Sequence, residues 1–293
     1  MFDPSKINLN DSSKWILIDG IRIRYLRKGK PETTPLVLLH GIGSSLDFWK
    51  DTIEFFQKER DVIALDFPGF GFSDKPAIRY SIHFQVLKLK RFLDQLKLNK
   101  IYLAGHSMGG AIAIHFAHLF TSRVKKLILV CNAGMGKSIG NFLRMYTLPF
   151  SGPIIEFSKT SGIESMLKNC VYDTSLITSE WIELFNNISS HPGSVNAFRS
   201  QLKSFVTIFG QEKSFLLSTR GKLSQIIMPS LIIWGKDDNI IPANHAEIAK
   251  EHIQNSTLVY FEKCGHLPQF EKKDKFNKVV YDFLGDFRKR IYQ

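Results

Sequence analysis

The pattern of this chain predicts an α/β architecture, a mostly parallel twisted sheet flanked by helices, with a helical segment inserted after the sixth strand. Three observations lead there. Short, wholly apolar runs such as Leu36-Val37-Leu38-Leu39 and Val62-Ile63-Ala64-Leu65 have the character of strands buried on both faces. Helical patterns alternate with them, as parallel crossovers require. The strand-like runs also end in glycine-rich turns, at the carboxyl ends where such sheets place their chemistry.

The elements follow in order. Trp15 to Tyr25 reads as a hairpin, with an Asp19-Gly20 turn and Ile21-Arg22-Ile23-Arg24 alternating after it. The run Leu36 to Leu39 ends in His40-Gly41-Ile42-Gly43, and a helical pattern covers Phe48 to Lys58. The next strand, Val62 to Leu65, empties into Asp66-Phe67-Pro68-Gly69-Phe70-Gly71-Phe72-Ser73, too rich in Gly and Pro for either regular element. Helix Ile82 to Leu96, strand Ile101 to Ala104, helix Met108 to Phe120 and strand Lys126 to Cys131 continue the alternation. It then stops. From 134 to 225 the stretches Ile139 to Leu148, Ile154 to Phe157, Ile163 to Val171, Ser179 to Ile188 and Val195 to Gly210 read as helical. Strand Ser230 to Gly235, helix Ala243 to Glu251, strand Thr257 to Phe261 and an amphipathic helix Lys275 to Arg290 complete the chain. The sheet domain is thus expected over 1–133 and 226–293, with a helical insertion at 134–225.

Composition narrows the class. At 293 residues, 44% apolar and 23% charged, the chain suits one large globular domain with an insertion. No stretch offers the 18 or so apolar residues of a membrane span, and the N-terminus has no apolar core for a signal peptide, so the expectation is a cytoplasmic protein. Cys131, Cys170 and Cys264 cannot all pair and lack C-x-x-C spacing, which predicts free thiols and no metal site. The formal charge is +12, densest at Lys88, Lys90, Arg91, Lys97 and Lys100, with Asp94 opposing. A solvated helix face is the plain reading, and attraction to an acidic partner or anionic substrate the sharper one. No motif for nucleic acid accompanies the charge.

The stretch Gly105-His106-Ser107-Met108-Gly109-Gly110 puts a serine at the apex of a strand–turn–helix. Small neighbours let the sharp turn form, and backbone N–H groups at the helix start can stabilise a developing oxyanion. A serine hydroxyl needs a base, and the base an orienting acid. Of nine histidines, His40 and His106 sit in glycine-rich turns where they shape loops, and His83, His115, His118 and His252 look helical. His191 and His245 flank element boundaries, whereas His266 follows a strand in Cys264-Gly265-His266-Leu267-Pro268 and is the candidate base. The candidate acid lies in Trp234-Gly235-Lys236-Asp237-Asp238, also at a strand end, and on chemistry alone either aspartate serves.

On these motifs, His40-Gly41, the Asp66 to Ser73 loop, the Ser107 turn, Trp234-Gly235-x-x-Asp238-x-x-x-Pro242 and Gly265-His266, the chain resembles the α/β-hydrolase superfamily, whose Ser…Asp…His order it shares. The resemblance implies Asp238 as the acid, the backbone N–H groups of Ile42 and Met108 as oxyanion hole, and the 134–225 insertion as a cap or lid over the pocket. Phe142, Met145, Trp181 and Phe209 are the cap candidates for contacting substrate. It further implies a cofactor-free serine esterase (EC 3.1.1), monomeric or homodimeric, acting on a small-molecule ester or thioester. A more specific expectation, suggested by the basic surface, is an acyl chain carried by an acidic acyl carrier protein docked near Lys88, Lys90 and Arg91. Haloalkane dehalogenases and epoxide hydrolases carry Asp where Ser107 stands, which speaks against both. Hydrolases that cleave C–C bonds of ring-fission dienoates are the alternative, although they typically carry Trp where this chain has Leu267. A non-catalytic ligand-binding homologue is the alternative outside enzymes.

Overall fold

A computed structural model describes residues 13–148 and 160–285. An eight-stranded sheet runs in the order β1-β2-β4-β3-β5-β6-β9-β10. Its strands are β1 (Lys14–Ile18), β2 (Ile21–Lys28), β3 (Leu36–Leu39), β4 (Val62–Leu65), β5 (Ile101–His106), β6 (Val124–Val130), β9 (Ser230–Gly235) and β10 (Ser256–Phe261). β1 and β2 form an antiparallel hairpin and β2 joins β4 antiparallel; every other pairing is parallel. Asp19 and Gly20 both take positive φ, the turn that suits the strand twist. Strands β3, β4, β5 and β9 are buried throughout, which explains their continuous apolar runs.

The helices α1 (Lys50–Phe56), α2 (Ile82–Gln95), α3 (Met108–Leu119), α9 (His245–His252), α10 (Pro268–Glu271) and α11 (Lys273–Leu284) flank the sheet. α11 ends at Leu284, where Gly285 adopts the left-handed conformation (φ 66°), and the rest of the expected stretch to Arg290 lies outside the described residues. The chain leaves β3 for β4 on one side and returns to β5 on the other, so the carboxyl ends of β3 and β5 border a topological switch point.

Between β6 and β9 lie α4 (Asn141–Met145), α5 (Thr160–Asn169), α6 (Ser179–Ser190), α7 (Ser194–Lys203) and α8 (Lys213–Arg220). The expected helix from Val195 to Gly210 ends at Lys203, and the chain turns into a two-stranded ribbon of β7 (Val206–Thr207) and β8 (Gly210–Gln211). The Ile154 to Phe157 segment lies outside the described residues. Phe48, from the sheet side, joins Ile163, Leu167, Val171, Ile177, Phe185 and Leu267 in one apolar cluster, which seats α5 and α6 over the strand ends.

Candidate active site

Ser107 occupies the turn between β5 and α3 with φ 53° and ψ −117°, a conformation that L-residues adopt only under constraint. The constraint is packing. A Cβ on Gly109 would lie 2.6 Å from the carbonyl oxygens of His40 and Leu39, and one on Gly105 would lie 2.3 Å from that of Gly109. Only glycines permit backbones this close, and the approach aims Ser107 over the sheet edge.

His266 and Ser107 line the same cavity. His266 Nδ1 lies 2.7 Å from Asp238 Oδ2, and both residues are buried. Asp238 is itself fixed, because its Oδ1 accepts from the backbone N–H groups of Ile240 (2.8 Å) and Ile241 (2.9 Å). A carboxylate there accepts the hydrogen bond of Nδ1–H, which fixes that tautomer and leaves the Nε2 lone pair available as a base. The choice between the two aspartates is a matter of direction. Asp237 is exposed and accepts from the Cys264 N–H, bracing the histidine loop, while Asp238 turns inward to the ring.

Two further histidines shape the site, as their turns suggested. His40 Nε2 accepts from Phe67 N–H (2.9 Å) while its Nδ1 donates to the Gly41 carbonyl, which joins the loops after β3 and β4. His106 Nε2 donates to the His266 carbonyl (2.8 Å). Burial, then the neighbouring His266, holds His106 well below the usual histidine range, so it stays neutral as a donor. The backbone of His266 is tied to the insertion: its N–H donates to the Cys170 carbonyl at 2.7 Å.

The residues implied for an oxyanion hole separate here. Ile42 lines the cavity, whereas Met108 is wholly buried at the head of α3 and is not part of the lining. Neither backbone N–H donates to a protein acceptor among the described residues. Of the four cap candidates only Phe142 lines the cavity. Met145 is half exposed on another surface, Trp181 stacks on Phe48 at 4.6 Å within the apolar cluster, and Phe209 is 75% exposed on the β7–β8 turn. The lining instead comes from Leu143, Met166, Leu167, Phe185 and Phe198, with Phe48 from the sheet side. Helical periodicity alone marks these side chains as inward-facing, and cannot separate those that face the cavity from those that face one another.

Two groups escaped sequence reading. Arg24, read as a polar position of an alternating strand, is buried at 1% exposure, where its guanidinium bridges Asp47 and Asp66. Asp66 also accepts from Leu46 and Phe72 N–H, so this network shapes the loop beside the cavity. The basic helix face has an unforeseen counterion: Asp19, distant in sequence, meets Lys88 and Arg91, while Asp94 meets Lys90 and Arg123. Cys131, Asp238 and His266 bring ligand-type atoms within 4.8 Å of one another. Burial and the Asp238 charge push the Cys131 thiol well up, so it stands there as a neutral thiol rather than a thiolate.

A family model for the α/β-hydrolase fold matches residues 34–273. The chain belongs to the α/β-hydrolase fold family. It is 31% identical over 255 residues to a 2-hydroxy-6-oxo-2,4-heptadienoate hydrolase of Pseudomonas putida, covering 85% of this chain and 88% of that protein. It is 30% identical to a monoacylglycerol lipase of Rattus norvegicus, covering 92% and 84%. Among solved structures, a meta-cleavage product hydrolase from Pseudomonas fluorescens superposes with a TM-score of 0.79 at 28% identity, covering 92% of this chain and 97% of that one. These relatives are hydrolases, and this α/β-hydrolase is read as one too. No helix among the described residues is long and apolar enough to cross a membrane.

Proposed function

We propose that this α/β-hydrolase cleaves a neutral carboxylic ester or thioester through an acyl-enzyme, with Ser107 as nucleophile, His266 as base and then acid, and Asp238 as its orienting partner. The backbone N–H groups of Ile42 and Met108 would receive the oxyanion. The observation that carries the reading is the lining of the cavity above Ser107: it holds no lysine, arginine, aspartate or glutamate among the described residues, and its largest side chains are Phe48, Phe142, Phe185, Phe198 and Met166. An uncharged acyl or aryl group fits such walls, whereas a carboxylate buried there would lack a counter-charge.

A second reading, a hydrolase of ring-fission dienoates, is favoured by the P. putida relative and the meta-cleavage neighbour. Leu267 and the uncharged lining weigh against it. An acidic carrier protein as acyl donor finds less support, because Lys88 and Arg91 already meet Asp19.

Turnover of p-nitrophenyl esters of graded chain length, beside a ring-fission dienoate and a Ser107→Ala control, tests the proposal. Serine-dependent ester hydrolysis with a length optimum is the expected result. Dienoate turnover without ester turnover would replace it with the second reading.

A further inference from the structure

A second chamber lies beside the catalytic cavity and takes no part in the chemistry above. Counting its open mouth, its free space is about 520 Å³, close to that of the first. Gly43, Phe185 and Phe198 belong to the walls of both. Phe185 comes from α6 and Phe198 from α7, and both are buried. The Phe198 ring lies so near Gly43 that a Cβ on that glycine would sit 3.0 Å from it, and Tyr146 meets the ring edge-on at 5.6 Å. These contacts make Phe198 a partition between two spaces.

Phe70, Tyr146, Ile188 and Val195 supply the second chamber's apolar walls. Its polar side chains are engaged by backbone carbonyls: Lys75 donates to Gly71 and Ser73, Ser189 to Asn186, Ser194 to Ile188 and Arg199 to Leu148. Most of the surface left for a ligand is hydrocarbon, which a polar group would enter at the cost of its water.

We infer that this chamber is a tail site for an unbranched hydrocarbon chain continuing from the group held over Ser107, and that Phe198 sets how much of that chain enters. The inference rests on Ser107 being the nucleophile proposed above, and it holds whichever bond that serine attacks. Each methylene that passes from water into the chamber should raise reactivity about fourfold.

The test is the rate of Ser107 labelling by alkyl fluorophosphonates from ethyl to dodecyl, on wild type, Phe198→Ala and the double variant Phe198→Ala with Ile188→Phe. The wild type should reach a length limit. Phe198→Ala should move that limit to longer chains, gaining about fourfold per added methylene. Ile188→Phe refills the chamber from another of its lining residues and should take the gain back. Phe198→Leu retains more of the packing and replaces the alanine variant if that fails to fold. An unchanged limit in Phe198→Ala, or a gain that survives Ile188→Phe, would overturn the tail site. p-Nitrophenyl esters of the same lengths keep the two proposals apart. Length-dependent labelling without ester turnover upholds the chamber and removes the ester reading.

Discussion

Replacing Asp238 by asparagine isolates the electrostatic role of this side chain without changing its shape. Asp238 Oδ1 accepts from two backbone N–H groups, of Ile240 at 2.8 Å and Ile241 at 2.9 Å. An asparagine has one oxygen, and placing its NH₂ against those two donors would leave both buried N–H groups unmet, at about 1–3 kcal/mol each. The oxygen therefore stays, and the NH₂ faces His266 Nδ1 across the present 2.7 Å contact, donor against donor. The imidazole escapes by moving its proton to Nε2, which then has no lone pair for the Ser107 proton. The expected loss is about 10⁴-fold in kcat, or ~5.4 kcal/mol of barrier. Stability should change little, since both backbone hydrogen bonds persist. Initial rates on the best ester, with a urea unfolding curve for each protein, measure the two effects separately. An Asp238→Asn variant retaining a tenth of wild-type kcat would refute the tautomer argument and the role assigned to Asp238.

Three other perturbations have definite expected outcomes. Ser107→Gly should abolish hydrolysis yet stabilise the fold by about 1 kcal/mol, because glycine relieves the strain at φ 53°; a lower melting temperature than wild type contradicts this. Glu271 accepts from Gly265 N–H at 2.8 Å and Tyr172 N–H at 2.7 Å with its two oxygens, binding the His266 loop to the insertion. Glu271→Gln offers one oxygen for two donors and should cost about 1.5–3 kcal/mol in unfolding free energy, with a fall in kcat; unaltered values for both would remove that role. Burial depresses His115 to about 3 and His245 to about 4, while an unfolded chain protonates both near 6.5. Below about pH 6.5 the unfolded state takes up protons that the folded state refuses, so stability should fall as pH drops from 7 to 5. A denaturation midpoint that is flat across that window speaks against it.

Some of this was legible because its signals are local. The apolar runs of β3, β4, β5 and β9 announce strands buried on both faces, and every such run maps to a parallel strand of the sheet. The glycines around Ser107 report a turn whose backbone approaches its neighbours within ordinary side-chain distance, a fact of chain geometry that residue type records directly. His266 and the Asp237-Asp238 pair stood out because each follows a strand, and parallel strands deliver their ends to one edge; the family resemblance then pointed to Asp238.

What the sequence left open depends on which side chains meet across long separations. The carboxylate of Asp19 turns a run of lysines into ion pairs, and Asp47 and Asp66 draw Arg24 inside, although neither pairing leaves a trace in nearby residues. Phe142, Phe185 and Phe198 face the cavity while Trp181 and Phe209 do not, because helix crossing angles and a short ribbon aim them. Periodicity fixes the buried face of a helix, but the neighbour on that face exists only after the whole chain has packed. By itself, then, the sequence determined the sheet, the strained serine turn and the order of the candidate triad. The tertiary structure alone decided the shape and charge of the space above the serine, since cavities are made of contacts between segments that no local pattern encodes.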